Sequence, residues 1–168
     1  MIPACKIMNP IRFHLPVIPS KSTSQGAGKR MVIVKGKPIF FKNKANAQNE
    51  YDLLVLLSPY IPPEPITGPI ALSVDFAWPW RKSEPLWRQV LNRVWHTSKP
   101  DCSNIVKQIE DCMTKLNFWN DDGQIASLTI TKAWGDQIGI SVEIRQLQDP
   151  PRKAAKKPAK SDQTPTFL

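Results

Sequence analysis

HTSKPDCSNIVKQIEDCMTKLNFWNDDGQ, residues 96–124, holds the densest concentration of carboxylates in the chain, split into two clusters by a strongly amphipathic segment. Pro100 disfavours helix at Lys99, and Asp101 and Ser103 are good N-cap residues, so a helix is predicted to begin between Asp101 and Asn104. Ile105, Val106, Ile109, Cys112, Met113 and Leu116 then recur at helical spacing and define a core-facing stripe that runs to about Asn117. On the opposite face Ser103 and Lys107 stack four residues apart, and Glu110, Asp111 and Thr114 continue the polar side. The break at 117–123 ends the helix and delivers Asp121 and Asp122 into a turn, after which a strand is expected from Gln124 to about Lys132. The two carboxylate clusters converge if that helix and strand pack side by side, which so short a connection favours. Carboxylates in two clusters with a lysine one helical turn in from the first have the layout of a metal site.

The run KPDCSNIVKQIED followed by FWNDDGQI resembles the RusA-type Holliday-junction resolvases. The family's signature is an Asp-x-Asp-Asn helix start, a Lys four residues after the second Asp, and a later Asp-Asp before a strand. The likeness is good from Thr97 to Glu143 and looser over most of the chain from Arg12. It implies that Asp101 and Asp122 are metal-binding catalytic carboxylates and that Lys107 supports them. One position departs: Ser103 stands where the family has its second helix-start aspartate, and a hydroxyl is a much poorer Mg²⁺ ligand than a carboxylate. The site is therefore short of a ligand unless Asp75, Asp111 or Asp121 compensates. The resemblance further implies Mg²⁺, with Mn²⁺ as a substitute, four-way junction or other branched DNA as substrate, a role in recombination and repair, and a homodimer. The alternative it leaves open is a weakened or inactive junction-binding protein of the same fold.

Elsewhere the chain is ordinary for one domain with tails: 168 residues, 41% hydrophobic. The formal net charge is +9, and removing the tail from Asp149 onward, with five basic and two acidic residues, leaves +6 on the body. A basic body suits an anionic partner, of which nucleic acid is the commonest. Cys5, Cys102 and Cys112 form no CxxC pair and have no histidine at zinc-ligand spacing. Their odd number without a signal peptide points to a reducing cytoplasm, and no apolar run is long enough to cross a membrane.

Strands are predicted at 12–18, at 31–34 and 38–41 as a hairpin around Lys35-Gly36-Lys37, and at Ile70–Trp78. Arg30, Lys35 and Lys37 make that hairpin a candidate phosphate contact. A helix is expected over 43–58 with Ala47, Tyr51, Leu54 and Val55 on its packed face, and the prolines of 59–69 require an irregular connection. In the strand 70–78, Asp75 belongs to the polar-facing set; it either looks toward the metal site or, more commonly for such a residue, pairs with a surface lysine. Residues 124–132 and 138–145 alternate around Ala133–Gln137 and read as a hairpin. Between the strand and the acidic helix, Trp78, Trp80, Trp87 and Trp95 interleave with Arg81, Lys82, Arg88, Arg93, His96 and Lys99. That mixture suits stacking on unpaired bases and neutralising phosphate, with Arg81, Lys82 and Lys99 as DNA contacts. Trp87, Val90, Leu91 and Val94 or Trp95 also fit one face of a short helix, which favours core burial for most of the tryptophans.

The reading is a two-layer α+β domain, a mixed sheet with two main helices on one face. It spans 11–147, behind a loose lead-in over 1–10 and ahead of a disordered basic tail rich in Pro, Lys and Ala over 148–168.

Overall fold

The computed structural model describes residues 9–20, 30–34, 37–41 and 44–148, with side chains described over 9–20 and 47–148. Seven strands and three helices follow in the order β1 (Ile11–Leu15), β2 (Arg30–Val34), β3 (Lys37–Phe41), α1 (Lys44–Leu57), β4 (Ile70–Trp78), α2 (Leu86–Gln89), β5 (Arg93–Trp95), α3 (Cys102–Lys115), β6 (Ile125–Gly135) and β7 (Gly139–Gln146). Five of the strands form a mixed sheet in the order β1-β7-β4-β6-β5, and β2 and β3 form a separate hairpin. This is the α+β class expected.

β4 is the centre of the sheet. It pairs parallel with β6 and antiparallel with β7. Period-two alternation places Ile70, Leu72, Val74, Phe76 and Trp78 on one face, each almost fully buried. Helices α1 and α3 cover that face, with Leu53, Leu57, Ile105, Val106, Ile109 and Met113 completing the core. Each such fully buried side chain contributes about 1.5–3 kcal/mol relative to exposure, so the helix-covered face holds most of the driving force for folding.

Three expectations need correction. β6 and β7 are not a hairpin, because β4 lies between them. The short link between them passes over the end of β4, where Trp78 pairs with Trp134 and Ala77 with Gly139. Gly139 opens β7 beside β1: its φ is +148°, and a Cβ there would meet the His14 ring and the Leu15 carbonyl at about 2.5 Å. On α1 the packed face is Leu53 and Leu57 flanked by partly buried Leu54 and Leu56, so Leu54 packs as expected, whereas Ala47, Tyr51 and Val55 are exposed. The run LLVLL is apolar on more than one side, so periodicity alone did not decide which stripe packs. Finally, Trp87, Val90, Leu91 and Trp95 are exposed rather than core.

Candidate active site

Helix α3 starts where Pro100 and Asp101 set it. Asp101 is extended (φ −72°, ψ 149°), its carbonyl accepts the Ile105 N–H at 3.1 Å, and its carboxylate makes no capping hydrogen bond. The carboxylate is thus exposed at the positive end of the helix and uncommitted to the fold. Ser103 is exposed one residue into the helix. The approach to Asp101 is fixed from the sheet: Lys132 on β6 donates its ammonium to the carbonyls of Ser98 at 2.8 Å and Pro100 at 2.5 Å.

The other cluster sits on a short 3₁₀ turn, Asp122–Gln124. Helix α3 ends with Asn117 in a left-handed conformation (φ 58°), which an asparagine tolerates better than most residues. The chain then turns back on buried Phe118 and Trp119. The Trp119 indole donates to Thr114 Oγ1 at 2.8 Å, and the Phe118 carbonyl accepts from Ile66 at 2.8 Å. Asp121 caps the turn by accepting the Gly123 N–H at 2.7 Å, while Gln124 Oε1 accepts from the Asn120 and Asp121 amides and its amide group donates to Ile66 and Gly68. Asp121 therefore shapes the turn, and Asp122 is left to face α3.

Lys107 ties α3 to the Asp-Asp turn. Its ammonium bonds Asp122 Oδ2 and reaches Asp111 Oδ1, one helical turn further on, at 3.2 Å. Hydrogen bonding to Lys107 holds the Asp122 carboxyl below the ordinary carboxylate range, and the same bond raises the lysine. Burial pushes Glu110 up, with the Lys107 charge opposing the shift and Asp122 and Asp111 adding to it. The result is a lysine surrounded by acids on the polar side of α3, with Asp122 ionised down to low pH.

Among the described residues no three carboxylate, imidazole or thiol side chains stand close enough together to cage a metal ion. The donor chemistry still fits a hard divalent cation, since Asp101 and Asp122 offer carboxylate oxygens in the segment where Ser103 offers only a hydroxyl. Asp75 does not join them. It alternates with Phe76 and so faces away from α3, on the open side of the sheet, where it pairs with Arg93 and accepts from Thr131. It is a paired surface carboxylate, as the commoner reading had it, but its partner is an arginine.

Arg81 pairs with buried Glu84 at 2.8 Å and lies over the Trp134 ring, 5.4 Å from its centroid; Lys82 and Lys99 are exposed. Arg30 and Lys37 lie in the β2–β3 hairpin, whose side chains are outside the described set, and Lys35 is outside the described residues altogether. Sequence reasoning gave no role to Lys132 or Glu84. Neither belongs to a motif, and their contacts join positions 32 to 34 apart or bury a charge inside a loop.

The sequence profile of the family described as "Endodeoxyribonuclease RusA" matches residues 7–145, which takes in all of the sheet but the last residue of β7, together with α3 and the Asp121-Asp122 turn. The chain belongs to the RusA family of endodeoxyribonucleases. A crossover junction endodeoxyribonuclease RusA of Lactococcus phage r1t is 31% identical over 137 residues, covering 80% of this chain and 95% of the phage protein. An uncharacterized protein, YqaN, of Bacillus subtilis strain 168 is 28% identical over 109 residues, covering 62% of this chain and 75% of its own length. RusA-family nucleases are generally dependent on a divalent metal, which agrees with hard carboxylate donors at Asp101 and Asp122.

Proposed function

We propose that this chain is a Mg²⁺-dependent nuclease that resolves four-way DNA junctions by paired symmetric nicks, in recombination and repair. The observation that carries the reading is the Lys107–Asp122 pair, which ties the first helical turns of α3 to the Asp-Asp turn at the positions the family signature names. Asp101 and Asp122 would hold the metal, with Mn²⁺ able to replace Mg²⁺ and Ser103 at the weak position. Bound there, a divalent cation would offset charge on the phosphate and lower the pKa of an attacking water. Lys107 keeps Asp122 ionised and stands as a fixed cation for a phosphate oxygen. Arg81, Lys82 and Lys99, with Arg30, Lys35 and Lys37 of the hairpin, would contact the backbone of the arms. Two nicks related by symmetry call for two active sites, hence a homodimer.

One observation favours a second reading. Ser103 removes an expected anionic ligand; Asp75 lies on the far face and Asp121 caps its turn, which leaves Asp111, paired with Lys107 beside Asp122, as the one remaining candidate to replace it. A protein that binds junctions and cuts them poorly fits that loss. The two readings separate when a synthetic four-way junction is incubated with Mg²⁺ or Mn²⁺ and resolved on a denaturing gel, beside a gel shift without metal. Paired nicks support the nuclease, a shift without nicks supports the binder, and neither result overturns both.

A further inference from the structure

The four most exposed large apolar side chains among the described residues, Leu86 (79%), Val90 (78%), Trp87 (68%) and Trp95 (67%), all lie in the short excursion that leads into α3. Scattered apolar residues are normal on a surface, but a contiguous group of them marks a contact site. The segment LWRQVLNRVWHTSK, 86–99, also carries Arg88, Arg93 and Lys99 and no carboxylate.

The arginines are held in place. Arg88 reaches buried Glu84 at 2.6 Å and lies 6.0 Å from the Trp87 ring centroid; Arg93 is tethered to Asp75. Arg88, Arg93, Trp95 and Thr97 line an open hollow of about 550 Å³. Pinned guanidinium groups beside exposed indole faces suit a ligand with flat π-systems strung on a phosphate chain. A second copy of the chain suits them less well. In a two-fold contact through this segment, arginines would face their own counterparts, and the segment supplies no carboxylate to receive them.

We infer that the Leu86–Trp95 excursion is a base-stacking platform on which unpaired nucleotides lie against Trp87 and Trp95. The inference rests on the nuclease reading for what those nucleotides belong to. Trp95 pairs with Ala133 and Arg93 bonds Asp75, so both lie on the open face of the sheet, opposite α3, and nucleotides held there run along the side of the domain away from the helix.

The test measures binding of the full chain to a fluorescent oligothymidylate and to an abasic oligomer of equal length, which has the phosphates without the bases. The wild type is expected to favour the thymidylate by about tenfold or more. In Trp87→Ala/Trp95→Ala the preference should vanish while abasic affinity stays, and Trp87→Phe/Trp95→Phe should keep it. A wild type without preference, or an alanine pair that retains it, overturns the platform. So does an alanine pair whose only change, by sedimentation, is loss of self-association, because the patch is then a protein interface. Junction cleavage is scored separately: preference without nicks sinks the nuclease reading alone, and nicks without preference sink the platform alone.

Discussion

Helix α3 and the Leu86–Trp95 excursion are neighbours in sequence, both rich in apolar residues at helical spacing, and they meet opposite fates. The α3 stripe lies on the central sheet and is buried at Ile105, Val106, Ile109, Cys112 and Met113; the excursion runs through α2 into the edge strand β5 with its indoles in solvent. The difference teaches that spacing reports which side chains share a face, whereas burial depends on whether another element lies over it. α3 has the wide sheet beneath it. α2 is a single turn followed by a three-residue edge strand, too short to fold back over a core.

The contrast predicts opposite costs for removing an indole. Trp119→Ala leaves a large cavity and removes the indole's hydrogen bond to Thr114, and should cost about 3–5 kcal/mol by denaturant unfolding. Trp87→Ala should stay within about 0.5 kcal/mol. A large loss at Trp87 would show that the excursion is covered after all.

Much of this was legible in the sequence. Alternation fixed β4 at its observed bounds, and the N-cap residues with the stripe placed α3. The Asp101, Lys107 and Asp122 positions came from a motif whose spacing the structure explains in part, by the Lys107–Asp122 bond. The β6–β7 arrangement was not legible, because alternation is the same for strands that pair with each other and strands that pair with a third. Nor was Asp75 on the far face, since a period of two says that it opposes Phe76 but not which side α3 takes.

Further substitutions sharpen the contrast on the α3 side. Lys107→Ala should slow single-turnover junction cleavage by about 10²-fold, the effect of losing one electrostatic stabiliser, with little change in Tm. An unchanged rate at saturating protein would remove Lys107 from the chemistry. Ser103→Asp should lower the Mg²⁺ needed for half-maximal cleavage by about tenfold, or switch on cutting in a protein that otherwise only binds, since an acidic side chain in the first turn suits the positive end of the helix and adds a hard anionic ligand. If the substitution slows an enzyme already active at low Mg²⁺, another group completes the site.

The smallest effect concerns Glu110, whose carboxyl is held above its ordinary value, first by burial. The folded state therefore takes up the proton more readily than the unfolded chain. That contribution to stability is complete below about pH 4.5 and is lost as the pH rises through the folded value. Glu110→Gln should raise Tm near neutral pH and match the wild type at acid pH; a lower Tm at neutral pH would mean that the charged form is held by the site.

The most direct test is single-turnover incubation of an immobile four-way junction with Mg²⁺, comparing wild type and Asp122→Asn, with nicks mapped on a denaturing gel and complexes on a native one. The account predicts paired, symmetric nicks by the wild type and none by the variant, whose junction complex persists at equal or greater affinity as repulsion from phosphate falls. A wild type that leaves the junction whole in both Mg²⁺ and Mn²⁺, or an Asp122→Asn protein that cuts as fast as its parent, would contradict it.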